Sequence, residues 1–199
     1  MSVRKEVIPQ VPKLRVHDRI MQTARDLFYR RGIRAVGVDT IACEAGTNKM
    51  SFYRCFGSKD ELVAEYLRGQ EREAWAWWDS TIAVHARNPR AQIESLFDAQ
   101  LTRSCKADSR GCALANAAVE IPEPGHPARA VVESFKAELR RRFRDLARET
   151  GARDPDALGD SLMLIWEGSY LTRLTFRGDH SPAESAAKAA RSLIAAHTA

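Results

Sequence analysis

The segment 39–56 constrains the fold of this chain more than any other, because it combines two short helical patterns with a single glycine between them. The first pattern places Ile41 and Ala42 on an inner face and ends at Gly46. A glycine there allows the positive φ that a tight turn between two helices needs. Asn48 follows as a favourable N-cap for the second helix. The segment therefore predicts a helix-turn-helix.

The second helix of this motif separates its aromatic and cationic side chains onto two faces. At about 100° per residue, Phe52 and Phe56 fall together and would anchor the helix to the body of the protein. The other face offers cations and a thioether to base edges, and hydroxyls to phosphates, as a helix in a DNA major groove requires. The outer face of an ordinary amphipathic helix is the alternative. The predicted DNA-binding residues here are Asn48, Lys49, Met50, Ser51, Tyr53 and Arg54.

Lys59 is a seventh predicted DNA-binding residue, at the start of the next helix. Ser58 and Glu61 form a capping box, which places Lys59 at the positive end of that helix. A cation there is unfavourable by roughly 0.3–1 kcal/mol. The position is explained if a DNA phosphate lies against the helix end and binds both its free N–H groups and the ammonium. Chance placement on the surface is the alternative.

Positive charge is concentrated at the amino-terminal end of the chain. Residues 1–60 contain twelve Lys or Arg and six acids, which gives +6, and the rest carries −1 of the total of +5. This asymmetry favours a polyanionic partner, nucleic acid before membrane. Residues 1–13 hold two prolines among charged residues and are predicted to be a flexible basic arm.

Composition and chain breaks predict an all-α protein. Strand-forming residues are sparse, and prolines and glycines cut the 199 residues into about nine helix-sized segments. The predicted domains are a helix-turn-helix domain at 14–62 and a helical ligand-binding and dimerisation domain at 63–199. No apolar run approaches the ~18 residues of a membrane span, and no signal peptide is visible, which predicts a cytoplasmic protein without a membrane partner.

The chain lacks the motifs of common enzymes and metal sites. Walker, GxSxG, HExxH and Rossmann glycine patterns are absent, and the five histidines are scattered. We therefore predict no catalytic activity, no cofactor and no metal. The four cysteines include no CxxC pair and are interpreted as free thiols. A redox role for Cys105 or Cys112, or a metal site with His126, stays open, as does a helical interaction protein without DNA binding.

The run 32–62 resembles the DNA-binding domain of TetR-family transcriptional regulators. The matching residues are Gly32, Ile41-Ala42, Ala45-Gly46, Tyr53, Phe56 and the segment 58–62. Gly37-Val38 stands where the family usually has Thr or Ser, so a common phosphate contact is missing. The resemblance implies a homodimer on a pseudo-palindromic double-stranded DNA operator. Such proteins repress, or occasionally activate, nearby genes until a small effector lowers their affinity for DNA.

The carboxy-terminal half is predicted to hold the dimer interface and the effector pocket. Residues 156–176 are apolar almost all round, and the final helix is rich in alanine, so the last two helices are predicted to pair with their copies. Burial within one chain is the alternative. Aromatic residues with a few polar groups suit a small ligand, although plain core packing gives the same pattern. The predicted ligand-binding residues are Trp75, Trp78, Phe97, Leu101, Asn116, Glu120, Trp166 and Tyr170.

Overall fold

The computed structural model describes residues 14–105, 108–176 and 180–198, and within them the chain is helical with no β-strand. The predicted all-α fold with about nine helices is confirmed. The predicted arm at 1–13 lies outside the described residues. The helices are α1 (Val16–Arg31), α2 (Val38–Glu44), α3 (Lys49–Cys55), α4 (Lys59–Ala83), α5 (Pro89–Ser104), α6 (Ala113–Glu120), α7 (Pro127–Glu149), α8 (Pro155–Thr175) and α9 (Ala186–Thr198), with a 3₁₀ turn at Pro182–Ser185.

Helices α1, α2 and α3 form a small unit around one apolar cluster. The inner face of α1 is buried, and Ile41 of α2 and Phe52 of α3 are both fully buried against it. Phe56, directly after α3, is also buried, and its ring lies 5.7 Å from that of Phe52. The predicted role of the two phenylalanines as anchors of α3 is confirmed.

Helix α4 joins this unit to the rest of the protein. Ser58 caps it by accepting the N–H of Glu61 at 3.1 Å, and the Glu61 carboxylate accepts the N–H of Gly57 at 2.9 Å. The helix then continues for 25 residues. The predicted domain boundary after residue 62 therefore falls inside one uninterrupted helix, which belongs to both parts of the protein.

Helices α4, α5, α7, α8 and α9 build the larger core. Helix α7 packs most extensively on α8, and the two come close together at Gly159, where an added Cβ would lie only 2.6 Å from the Cα of Arg144. Nearby, Asp160 receives hydrogen bonds from the guanidinium groups of Arg140 and Arg144. None of the helices in the described ranges is long and apolar enough to cross a membrane.

Candidate nucleic-acid interface and the adjoining cavity

Helix α3 is held in place by its turn and its cap. Gly46 has φ +62°, the left-handed conformation that glycine adopts without strain. The Oδ1 atom of Asn48 accepts the N–H of Ser51 at 2.9 Å, so this side chain satisfies one free donor of the helix N-terminus. With Phe52 buried below, the orientation of α3 about its own axis is determined.

The opposite face of α3 is open to solvent. Met50 is 72% exposed and Tyr53 is 48% exposed, so two large, largely apolar side chains of this face are left uncovered. Asn48, Lys49 and Arg54 are exposed as well, and Ser51 is half-buried. The structure thus brings six of the seven predicted DNA-binding residues onto one short helix and its cap.

Two predicted contacts have protein partners in this structure. Lys49 Nζ lies 3.2 Å from Oδ1 of Asp39 on α2, in an exposed ion pair that water and salt weaken. Lys59 donates from Nζ to the carbonyl oxygen of Ile33 at 2.7 Å, and burial lowers the pKa of its ammonium. Because a lysine ammonium has three donors, Lys59 still has hydrogen atoms available for a phosphate.

The start of α2 differs from that of α3, the other helix of the motif. Gly37 is its N-cap and provides no side-chain hydrogen bond. The sequence has no Thr or Ser at this N-cap, and the structure accordingly shows no side-chain hydrogen bond there, which leaves backbone N–H groups of this helix end available for a phosphate.

A cavity of about 270 Å³ lies beside this unit, between α1, α4, α7 and α8. All four tryptophans of the chain line it, together with Tyr170. Four of the predicted ligand-binding residues are therefore brought together here: Trp75, Trp78, Trp166 and Tyr170.

The other four predicted ligand-binding residues do not line this cavity. Phe97 is buried behind it, with its ring 5.4 Å from that of Trp166, and Leu101 lies half-buried on α5 outside the lining. Asn116 donates to the carbonyl of Arg110 at 2.8 Å. Glu120 accepts the backbone N–H of Arg34 at 3.0 Å. Asn116 thus holds the segment before α6, and Glu120 connects the end of α6 to the turn after α1.

Several cavity residues had no signal in the sequence that singled them out as a set. They come from α1, α4, α5, α7 and from α6 with the two residues before it, and they meet only in the fold: Arg25, Tyr29, Gln70, Glu73, Trp77, Arg103, Gly111, Cys112, Leu114, Phe135 and Leu139. Trp77 has the aromatic character that the sequence reasoning looked for. Nothing in the local sequence around Arg103 connects it with tryptophans that lie on another helix.

The charged and titratable groups of the cavity are distributed unevenly. The guanidinium of Arg25 donates to both carboxylate oxygens of Glu73, and this hydrogen bonding raises the pKa of Arg25. Burial raises the pKa of both the Tyr170 phenol and the Cys112 thiol, so both groups are neutral near pH 7. The inner wall of the cavity is therefore aromatic and uncharged, and its charges lie at the rim.

The cavity also touches the end of α1. The hydroxyl of Tyr29, a lining residue, donates to the carbonyl of Gly111 at 3.3 Å and accepts the N–H of Arg110 at 2.8 Å. The guanidinium of Arg110 donates to the carbonyl of Arg30. The segment that leads into α6 is therefore bonded to the helix that supports α2 and α3.

Comparisons with known proteins agree over both halves of the chain. Residues 20–66 match the family described as bacterial regulatory proteins, tetR family. The HTH-type transcriptional repressor DhaR of Mycobacterium sp. strain GP1 is 26% identical over 163 residues, which cover 78% of this chain and 81% of DhaR. The repressor KstR2 of Mycobacterium tuberculosis is 36% identical over 78 residues, 39% of this chain and 38% of KstR2. In fold, the chain is similar to SCO4454, a TetR-family transcriptional regulator from Streptomyces coelicolor, with a TM-score of 0.83, 24% identity and coverage of 92% and 90%.

Proposed function

We propose that this chain, a member of the TetR family of transcriptional regulators, is a repressor that binds a pseudo-palindromic operator as a homodimer and is released by a small effector. Two relatives are named as repressors, which supports repression rather than activation. The observation that carries the proposal is the exposed face of α3, which offers polar, cationic and thioether groups on a helix whose other face is locked into the core.

In this proposal α3 enters the major groove and reads bases, while residues at its ends position it on phosphates. Arg54 is the donor best suited to guanine, and Met50 contacts thymine methyl groups. Tyr53 and Ser51 donate hydrogen bonds to phosphates. Asn48 and Lys49 at the start of α3, and Lys59 at the start of α4, contact phosphates as well. The Asp39 carboxylate releases Lys49 when a phosphate replaces it as the partner.

The proposed homodimer forms through α8 and α9. Leu164 and Leu171 of α8 are 74% and 68% exposed, although they are large apolar residues two helical turns apart on one side of the helix. Gly168, also exposed, lies between them and permits close helix approach. Leu164, Gly168 and Leu171 together form the exposed stripe of α8. A two-fold symmetry axis beside this stripe would pair each helix with its copy. A dimer is needed because two copies of α3 must reach successive major grooves about 34–36 Å apart.

The proposed effector site is the aromatic cavity. A ligand there would touch Tyr29 and Gly111, which are bonded to each other across the boundary between α1 and α6. Displacing this contact shifts α1 and the helices it carries. A change of about 1.4 kcal/mol between two arrangements is sufficient for a tenfold change in DNA affinity.

A helical interaction protein without DNA binding is the alternative function. It accounts for the exposed stripe on α8, but not for the exposed methionine, tyrosine and arginine on α3. The relatives are transcriptional regulators, which agrees with the lack of catalytic motifs in the sequence.

The direct test is a gel-shift titration with the DNA upstream of the chain's own gene. We expect Tyr53→Ala and Arg54→Ala each to weaken binding by about 1–3 kcal/mol, with Arg54→Ala also relaxing base preference. Arg90→Ala is the matched control, since this arginine is exposed on α5 and bonded to Glu94. Unchanged affinity in both α3 variants would remove the proposed interface.

A further inference from the structure

Two tryptophans of the cavity, Trp75 and Trp77, each have an arginine stacked on them, and the two arginines differ in one respect. The guanidinium carbon of Arg142 lies 4.3 Å from the ring centroid of Trp75, and that of Arg103 lies 4.4 Å from that of Trp77. Arg142 is also paired with Asp79 and Glu138, so its charge is neutralised. Among the described residues, no carboxylate lies within ion-pair distance of Arg103.

The stack leaves the hydrogen-bonding edge of Arg103 available. A guanidinium that rests on a ring uses its flat face, whereas its five N–H donors point outward in the plane. That arrangement of donors matches the two oxygens of a carboxylate. Arg103 lines both the aromatic cavity and an adjoining recess of about 280 Å³. Asp108 and Tyr29 also line this recess. Its cation thus lies at the junction of two spaces open to a ligand.

The remaining charges of the cavity are on the opposite side. Arg25 and Glu73 neutralise each other through two hydrogen bonds, and Asp26 lies close enough to raise the pKa of Arg25. The α1 side is therefore acidic by one charge and already organised around Arg25. On the α5 side, Arg103 has no ion-pair partner among the described residues, although Asp108 lines the same recess, so an anion in the cavity would stabilise its charge.

The walls favour a flat, conjugated molecule. The rings of Trp77 and Trp166 have centroids 6.0 Å apart, and those of Trp166 and Tyr170 are 6.0 Å apart and nearly perpendicular. Such walls offer both faces and edges to another ring. The volume is near the lower end of the ~300–1,000 Å³ typical of small-molecule sites, so the ligand is small.

From these observations we infer that the effector is a small planar, conjugated monocarboxylate. Its ring system lies among the tryptophans, and its carboxylate receives the N–H donors of Arg103. This ligand class rests on the proposed function, in which the same cavity holds the effector. A cationic ligand held by the rings and Asp26 is the competing chemistry, and the test distinguishes it.

The test uses sodium trans-cinnamate, the neutral cinnamamide and the cationic cinnamylamine as probes of one shape and three charges. Binding to the full-length protein is followed by calorimetry and by intrinsic fluorescence, which is specific because every tryptophan lines the cavity. We expect cinnamate to bind about tenfold or more tightly than cinnamamide, in line with a charge-assisted hydrogen bond of about 1.5–3 kcal/mol. Cinnamylamine should bind most weakly.

The variants Arg103→Gln and Arg103→Lys assign the effect to one side chain. Arg103→Gln should reduce the preference for the acid over the amide to about twofold or less, and Arg103→Lys should retain part of it. Arg90→Gln, on the same helix and away from the cavity, should behave as the wild type. Equal binding of acid and amide, preference for the amine, or no saturable binding of cinnamate would overturn the inference.

The same probes separate this inference from the proposed function. If cinnamate binds through Arg103 but leaves operator binding in a gel shift unchanged, the ligand class stands and effector release fails. If the chain binds its operator but shows no preference for the carboxylate, the regulator stands and the ligand class fails.

Discussion

Arg34 and Glu120, 86 residues apart in the sequence, are joined in the structure by two hydrogen bonds, both donated by Arg34. The N–H of Arg34 donates to Oε2 of Glu120 at 3.0 Å, and the guanidinium of Arg34 donates to the carbonyl oxygen of Glu120. Gly32 lies so close that an added Cβ would be 3.0 Å from the same carboxylate. The end of α6 therefore holds the turn that leads from α1 into the helix-turn-helix.

This contact predicts that Glu120 stabilises the orientation of the DNA-binding unit. Glu120→Ala should lower the free energy of unfolding by about 1–2 kcal/mol, because the backbone N–H of Arg34 loses a charged acceptor. Urea denaturation measures this change, and faster amide hydrogen exchange at residues 32–36 would locate it. Glu123→Ala is the control, since its carboxylate also pairs with Arg34 but is exposed. Equal losses in both variants would contradict the assignment.

Lys59 is expected to have a structural role in addition to any contact with DNA. Its ammonium donates to the Ile33 carbonyl and lies 6.0 Å from the centroid of the Phe28 ring. Lys59→Met should therefore lower the unfolding free energy by about 0.5–1.5 kcal/mol as well as weaken binding to all DNA sequences alike. Thermal unfolding and gel shifts on matched and mismatched DNA measure the two effects. A variant of unchanged stability with weaker DNA binding would mean that phosphate is the only important partner.

The exposed stripe of α8 predicts the oligomeric state. The double variant Leu164→Glu and Leu171→Glu should shift the protein from dimer to monomer in analytical ultracentrifugation, because two buried charges would be left without partners. Val84→Glu and Val119→Glu form a matched control, since both valines are highly exposed but lie outside α8 and α9. Dimers that persist in the α8 variant would place the interface elsewhere.

The cysteines should differ in reactivity. Burial raises the pKa of the Cys112 thiol, whereas Cys43 and Cys105 are exposed. Since the thiolate is the reactive form, Cys112 should be alkylated by iodoacetamide much more slowly than the other two near neutral pH. Peptide mass spectrometry over a time course checks this order. Rapid modification of Cys112 would instead favour the redox role that the sequence left open.

Stability should fall in acid through Glu138. Hydrogen bonds from Arg141 and Arg142 lower the pKa of Glu138 from 4.5 to about 2. A lowered folded-state pKa adds stability that is present above 4.5 and is lost as the pH falls towards 2. In Glu138→Gln, the unfolding temperature should therefore fall less than in the wild type as the pH is lowered through this window. Thermal scans at several pH values measure the difference. Glu133→Gln, next to Arg129 on the same helix, is the control, and an equal effect there would point to a general surface charge effect.

Local chemistry was sufficient to predict the elements of the DNA-binding motif. Gly46 and Asn48 shaped the turn and cap as expected, and the four-residue spacing of Phe52 and Phe56 placed both on the buried face. These features depend on backbone conformation and helical periodicity within a few residues, so they are readable from the chain alone. The site that they form stays a prediction until DNA binding is measured.

The amino-acid sequence by itself determined the helices, their caps and the segregation of α3 into an anchor face and an open face. Only the tertiary structure decided where the polar groups of the larger helices lie: Glu120 accepts the N–H of Arg34, and Arg103 of α5 lies beside a cavity lined by tryptophans of α4 and α8. The reason is physical. Caps and periodicity act over one or two turns, whereas a cavity and a contact between domains depend on how separate helices cross, which no short stretch of sequence encodes.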